Sequence, residues 1–198
     1  MAGASVVDQV CTIVRLFVAI EIDQAARKVV RDIQQSLAPK CTGVKWTPPE
    51  QVHLTVKFLG DVADGDVAGA CEAVSRTTKA STPFELGVEG AGCFPPGGPA
   101  RIVWIGAGDS SGRLKSLVER VESEMEVLGF LRENRPFSAH LTIGRVKEDR
   151  SVGVVRAAVG AAKFKPFVQS VTSVTLMSSV LSPRGPTYTP VHRATLGI

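Results

Sequence analysis

Apolar positions along the chain recur with two periods, and the changes between them predict the elements. Arg15–Ile22 (RLFVAIEI) is rich in β-branched and aromatic residues and predicts a strand. Asp23 is placed to cap a helix running to about Leu37, where Pro39 stops it. Thr47-Pro-Pro49 reads as a turn, and Val52–Leu59 as a second strand ended by Gly60-Asp61. A helix opening at Asp64 or Asp66 reaches about Lys79, and Phe84–Glu89 is a further strand. Gly90–Pro99 is so punctuated by Gly and Pro that a loop is expected.

Arg101–Gly106 then predicts a strand, followed by a long helix capped at Ser110 or Ser111. Leu114, Leu117, Val118, Val121, Met125 and Leu128 keep helical spacing, and Gly129 closes the element. Ser138–Val146 follows Pro136 as a strand, and Val152–Ala162 is a short helix. Two late strands, Phe167–Ser178 and Tyr188–Leu196, are separated by the segment Ser182–Pro186. The order of elements repeats from about Arg101. Each half holds one strand beginning His-Leu-Thr, at His53 and at His140, 87 residues apart. That duplication predicts two α+β lobes related by a pseudo-twofold axis.

Composition narrows the possibilities. A chain of 198 residues has room for one domain. With 44% hydrophobic and 21% charged residues, enough apolar surface exists to offset chain entropy, which excludes global disorder. No apolar run approaches the ~20 residues of a membrane span. The net charge of +4 suits a polyanionic substrate but lacks the dense basic tracts of an electrostatic DNA binder. Cys11, Cys41, Cys71 and Cys93 form no C-x-x-C pair. Reduced thiols in a cytoplasmic protein are therefore expected, with no metal site. Residues 1–13 read as an N-terminal extension without a basic head, unlike a signal peptide.

The chemistry concentrates in His53-Leu-Thr-Val56 and His140-Leu-Thr-Ile143, which use two of the three histidines. On a strand, His53 and Thr55 point to one face while Leu54 and Val56 point to the other. His140 and Thr142 share the same relation. Two such strands side by side bring two imidazoles and two hydroxyls to one point. Hydroxyls donate to non-bridging phosphate oxygens, one imidazole removes a proton, and the other returns one to the leaving oxygen. Neither a metal nor any other cofactor is called for, and no dinucleotide or P-loop pattern is present.

At these tetrapeptides the chain resembles the 2H phosphoesterase family, in particular its RNA 2′,3′-cyclic phosphodiesterase branch, also called 2′-5′ RNA ligase. The resemblance runs from Arg15 onward and includes Arg15–Ile20, Trp46, His53–Gly60, Arg101–Trp104, Asn134–Phe137, His140–Arg145 and Ser182–Tyr188. It implies one 2H phosphoesterase domain of α+β class, bilobal, with two antiparallel sheets lining a central cleft and helices outside. It also implies hydrolysis of a 2′,3′-cyclic phosphate on an RNA end to a 2′-phosphomonoester. His53 would be the acid and His140 the base, although the repeat itself leaves them chemically alike. The reverse reaction would join such an end to a 5′-hydroxyl. A monomer is expected, with RNA as partner and no membrane.

Arg145 lies where the family tends to carry a phosphate-binding arginine. Strict alternation puts it opposite His140 unless Gly144 marks a bulge. Phe17 is a candidate ring for stacking on a base, its alternative being the core. Lys57 shares parity with His53 and Thr55, which offers positive field at the mouth or a solvated face. His192 lacks the motif and reads as surface, and Trp46 and Trp104 as packing. Two other functions stay open: a phosphodiesterase for small cyclic nucleotides, ADP-ribose cyclic phosphate or 2′-5′ oligonucleotides, and a binding module for RNA ends without turnover.

Overall fold

The computed structural model describes residues 12–147, 153–183 and 185–197. Strand β1 (Ile13–Glu21) leads into helix α1 (Gln24–Leu37), followed by β2 (Val44–Trp46), β3 (His53–Ala63), α2 (Val67–Lys79), β4 (Phe84–Phe94) and β5 (Ile102–Gly108). The second half continues with α3 (Arg113–Val127), β6 (His140–Val146), α4 (Val154–Gly160), β7 (Phe167–Val171), β8 (Ser173–Ser182) and β9 (Gly185–Thr195). Most of the expected N-terminal extension lies outside the described residues, as do Val152, where the short helix is expected to start, and Arg184; Ile13 already belongs to β1.

Local chemistry explains the boundaries. Asp23 is extended and accepts a hydrogen bond from the Ala26 amide at 2.7 Å, so α1 begins where the cap dictates. Its buried stripe, Ala26, Val30, Ile33 and Leu37, faces the sheet. At α3 the N-cap position is Gly112, at φ 76°; the first-turn amides are met from further upstream, where the Asp109 carboxylate accepts from the amides of Ser111 and Leu114 and Ser111 Oγ accepts from that of Arg113 at 3.4 Å.

Several expected boundaries change because glycine permits a bulge where a stop is expected. Gly60, at φ 77°, carries β3 on to Ala63, and Gly90, at φ 68°, carries β4 through the expected loop to Phe94. Only the stretch from Pro95 to Arg101 remains irregular. The expected strand Phe167–Ser178 is two strands broken at Thr172, and β2 has no counterpart among the expected elements.

The sheet also departs from expectation. The two expected sheets are halves of one antiparallel sheet ordered β7-β4-β5-β6-β3-β1-β8-β9, with β2 added to β6. The halves meet at one bridge, Leu54 opposite Leu141. The arrangement is symmetric about that bridge, but the lobes exchange strands. β4, from the first half of the chain, pairs with β5, and β8, from the second, pairs with β1. Helices α1, α2, α3 and α4 pack on one face, forming the main core with Leu16, Val18, Ile20, Leu54, Ile105, Leu141 and Ile143. The opposite face carries both motifs.

Candidate active site

The bridge sets the site. Leu54 and Leu141, 1% and 0% exposed, point into the core, so their neighbours His53, Thr55, His140 and Thr142 all project from the other face. Extending the antiparallel register by one residue puts His53 opposite Thr142 and Thr55 opposite His140. The two imidazoles are then diagonal neighbours, about 7–8 Å apart at the backbone, with room for one phosphate between them.

Each ring is oriented by a carbonyl two residues upstream. His53 Nδ1 bonds the Gln51 oxygen at 2.8 Å and His140 Nδ1 the Ser138 oxygen at 2.7 Å. A carbonyl only accepts, so Nδ1 carries the hydrogen and Nε2 is the atom that exchanges a proton. Aromatic side chains brace both. His53 lies 4.8 Å from the Phe17 ring and 5.0 Å, edge-on, from Tyr188, and His140 lies 5.0 Å, edge-on, from Phe94.

The surroundings of the two rings differ. Across β1 the residue opposite His53 is Glu21, whereas across β5 the residue opposite His140 is Gly106. Glu21 accepts from Thr175 at 2.9 Å and pairs with Arg193. Burial is the main cause that lowers the His53 pKa below the ordinary imidazole value. The Gln51 carbonyl and Glu21 oppose that shift, and Arg145 and His140 add to it.

Paired bulges position the remaining candidates. In β3 the register against β1 slips between Thr55 and Lys57, so Val56 and Lys57 both turn to the core. In β6 the register against β5 slips between Thr142 and Gly144, so Ile143 and Gly144 do the same. A Cβ on Gly144 would lie 2.8 Å from Val44 Cγ1, which is why glycine stands there. Beyond each bulge the alternation is reversed. Arg145 therefore returns to the face of His140, exposed and near enough to act on His53. The corresponding residue after the first motif is Phe58, 73% exposed.

Two expectations are corrected, Lys57 by the bulge and Phe17 by packing. Lys57 neither offers a free charge at the mouth nor lies on a solvated face. It is 5% exposed, its ammonium 2.7 Å from Glu122 Oε2 and 2.8 Å from the Leu131 oxygen. Phe17 does face the site, but at 2% exposure it is packed among His53, Phe58 and Tyr188 and has no surface to offer a base. His192 is half-buried, its Nε2 2.7 Å from Ser75 Oγ, and joins β9 to α2 away from the site. Trp46 and Trp104 pack as expected, Trp46 on the core and Trp104 5.3 Å from Phe94.

Phe58, Phe94 and Tyr188 border the site without being expected there. Tyr188 belongs to a tail motif of the resemblance, but nothing local shows that β9 brings it to His53. The β6 bulge is itself supported. Gln34 of α1, buried, donates to the oxygens of Ile143 at 2.9 Å and Thr47 at 2.6 Å. A cavity of about 1140 Å³ opens beside His140 and Thr55 and reaches α3. Among the described residues no three His, Cys, Asp or Glu side chains gather as a metal cluster, and no helix is long and apolar enough to cross a membrane.

The profile described as LigT-like phosphoesterase matches residues 20–104 and again 105–188. An RNA 2′,3′-cyclic phosphodiesterase of Archaeoglobus fulgidus is 37% identical over 88% of this chain and 96% of its own. One from Methanothermobacter thermautotrophicus is 34% identical over 90% and 97%. A crystal structure from Thermus thermophilus superimposes with a TM-score of 0.78 at 26% identity, covering 92% of this chain and 97% of that one. Escherichia coli LigT complexed with 3′-AMP shares the fold, with a TM-score of 0.74 at 24% identity over 93% and 99%. The duplicated motifs seen on the central strands are thus the halves of a pattern repeated in sequence, and the chain belongs to the LigT-like phosphoesterase family.

Proposed function

We propose that this protein hydrolyses the 2′,3′-cyclic phosphate at an RNA end to a 2′-phosphomonoester, using His53 and His140 and no metal. The observation that carries the proposal is the Leu54–Leu141 bridge, which gives both His-x-Thr sets one face. His140 Nε2 takes a proton from water, whose oxygen attacks phosphorus opposite the 3′ oxygen. The P–O3′ bond breaks, and His53 Nε2 delivers a proton to the departing oxygen. Thr55 and Thr142 hydroxyls donate to the non-bridging oxygens, and Arg145 adds positive charge. Burial favours neutral His53 in the free protein, so the arriving phosphate anion itself raises its affinity for the proton it must donate. With a 5′-hydroxyl in place of water as the attacking group, the same steps form the P–O5′ bond, break P–O3′ and leave a 2′-5′ linkage.

The names of the relatives support this substrate, and the chain spans nearly all of their length. The test is a short RNA ending in 2′,3′-cyclic phosphate, incubated with excess EDTA. A 2′-phosphate product is expected, and His53→Ala and His140→Ala should each lower kcat/KM by about 10²–10⁴-fold with unfolding unchanged. A 3′-phosphate product, loss of turnover with EDTA, or near-normal turnover in either variant would overturn it.

A further inference from the structure

The two halves of the site differ in one place. After the second motif, β6 is paired by β2: Val44 opposite Val146, Lys45 opposite Arg145 and Trp46 opposite Gly144. The spacing between the motifs carries β2 onto residues 131–133, but these form no strand, and among the described residues β3 has no partner on that side beyond the bridge. The vacant strand position is the cavity of about 1140 Å³, with Thr55 and His140 at its inner end. Across it, Lys57 does what a strand pairing would otherwise do. Its ammonium, held by Glu122 of α3, donates to the Leu131 oxygen at 2.8 Å.

We propose that this gap is the channel for the ribonucleotides 5′ of the cyclic end, and that Lys57 and Glu122 are positioning residues that hold its outer wall. The inference rests on the function proposed above and names the substrate as a strand rather than a mononucleotide. A chain attached to the phosphate between the histidines must leave through an opening that begins there, and this cavity does. Its volume exceeds the about 300–1,000 Å³ of an ordinary small-ligand pocket. Its lining suits single-stranded RNA: Phe58 and Phe137 expose rings on which bases stack, while Arg101 and Arg135 are exposed cations for the backbone. Among the described residues Arg135 pairs with exposed Glu133, a contact a phosphate can replace. The 131–137 segment supplies a third of the cavity's lining residues, and the Lys57 contact ties it to β3.

The test compares a 2′,3′-cyclic mononucleotide with an RNA oligomer ending in the same cyclic phosphate. In Lys57→Met/Glu122→Leu, which removes both charges together, kcat/KM for the oligomer should fall about tenfold or more relative to the mononucleotide, the loss of one stacked base, with the change in KM rather than kcat. Arg135→Glu, at an exposed position that does not support the core, should shift the ratio the same way and keeps the test available should the double variant fail to fold. Equal losses on both substrates, or an unchanged ratio in Arg135→Glu, would overturn the channel and return the open edge of β3 to a protein segment pairing there. A wild-type protein that turns over neither substrate would instead refute the function itself.

Discussion

Lys57→Met alone should be far more damaging than the same change made together with Glu122→Leu. The side chains of Lys57 and Glu122 are 3% and 10% exposed and 2.7 Å apart. Removing one member of such a pair leaves the other charge buried and uncompensated, at a cost of about 3–5 kcal/mol. Removing both exchanges the pair for apolar packing, which elsewhere is neutral or stabilising. The remaining loss is the donor to the Leu131 oxygen, about 1 kcal/mol for a hydrogen bond. For a chain of this size 1 kcal/mol moves Tm by about 2–4 °C, so the single variant should melt roughly 6–20 °C below wild type and the double variant within about 5 °C of it. Urea unfolding at pH 7 supplies the free energies, with an unchanged m-value as the control that the denatured state is the same. A single variant within about 1 kcal/mol of wild type, or a double variant less stable than the single, would show that the pair is not desolvated as its burial indicates.

Three further outcomes are expected. His53 should titrate below an ordinary imidazole near 6.5, and Tyr188→Ala should raise its midpoint by opening the ring to water, as followed by NMR of the imidazole protons. In stability this has a definite sign. As pH falls through about 6.5 the unfolded chain gains a proton that native His53 does not, so His53 lowers stability until pH drops below its native value, by at most about 1.4 kcal/mol per unit of depression. An unmoved midpoint in Tyr188→Ala would remove burial by that ring as the cause. Gln34→Leu should cost about 1–3 kcal/mol in urea unfolding by taking a donor from the Thr47 and Ile143 oxygens, and a loss below ~0.5 kcal/mol would mean they find other donors. Gly144→Ala should destabilise by about 1–3 kcal/mol by overpacking against Val44, and should also reduce turnover, because Gly144 separates Thr142 from Arg145; a neutral result would mean that β2 shifts freely.

The contrast between the two motifs and their flanks shows where local pattern stops being informative. Alternation alone assigns His53, Thr55, His140 and Thr142 to one face, because no irregularity interrupts either tetrapeptide. Two residues beyond Thr55, alternation misassigns Lys57. A bulge at Val56 is set by how β3 registers on β1, a strand roughly forty residues earlier in the chain. Phe58 escapes notice for the same reason, and Arg145 can be placed only conditionally on a bulge at Gly144. Phe17 falls on the side of the site as alternation allows, but its exposure depends on Tyr188, which arrives from β9.

From the sequence come the elements, the duplicated halves, the Asp23 cap and the four side chains of the motifs, since these depend on residues within a turn or a strand of one another. Only the tertiary structure supplied the exchange of β4 and β8 between lobes, the single bridge that faces the motifs together, and the unlike neighbours of His53 and His140. It also supplied the vacant strand position held open by Lys57. These arise where segments distant in sequence compete for the same backbone hydrogen bonds and buried volume, and that competition has no period along the chain.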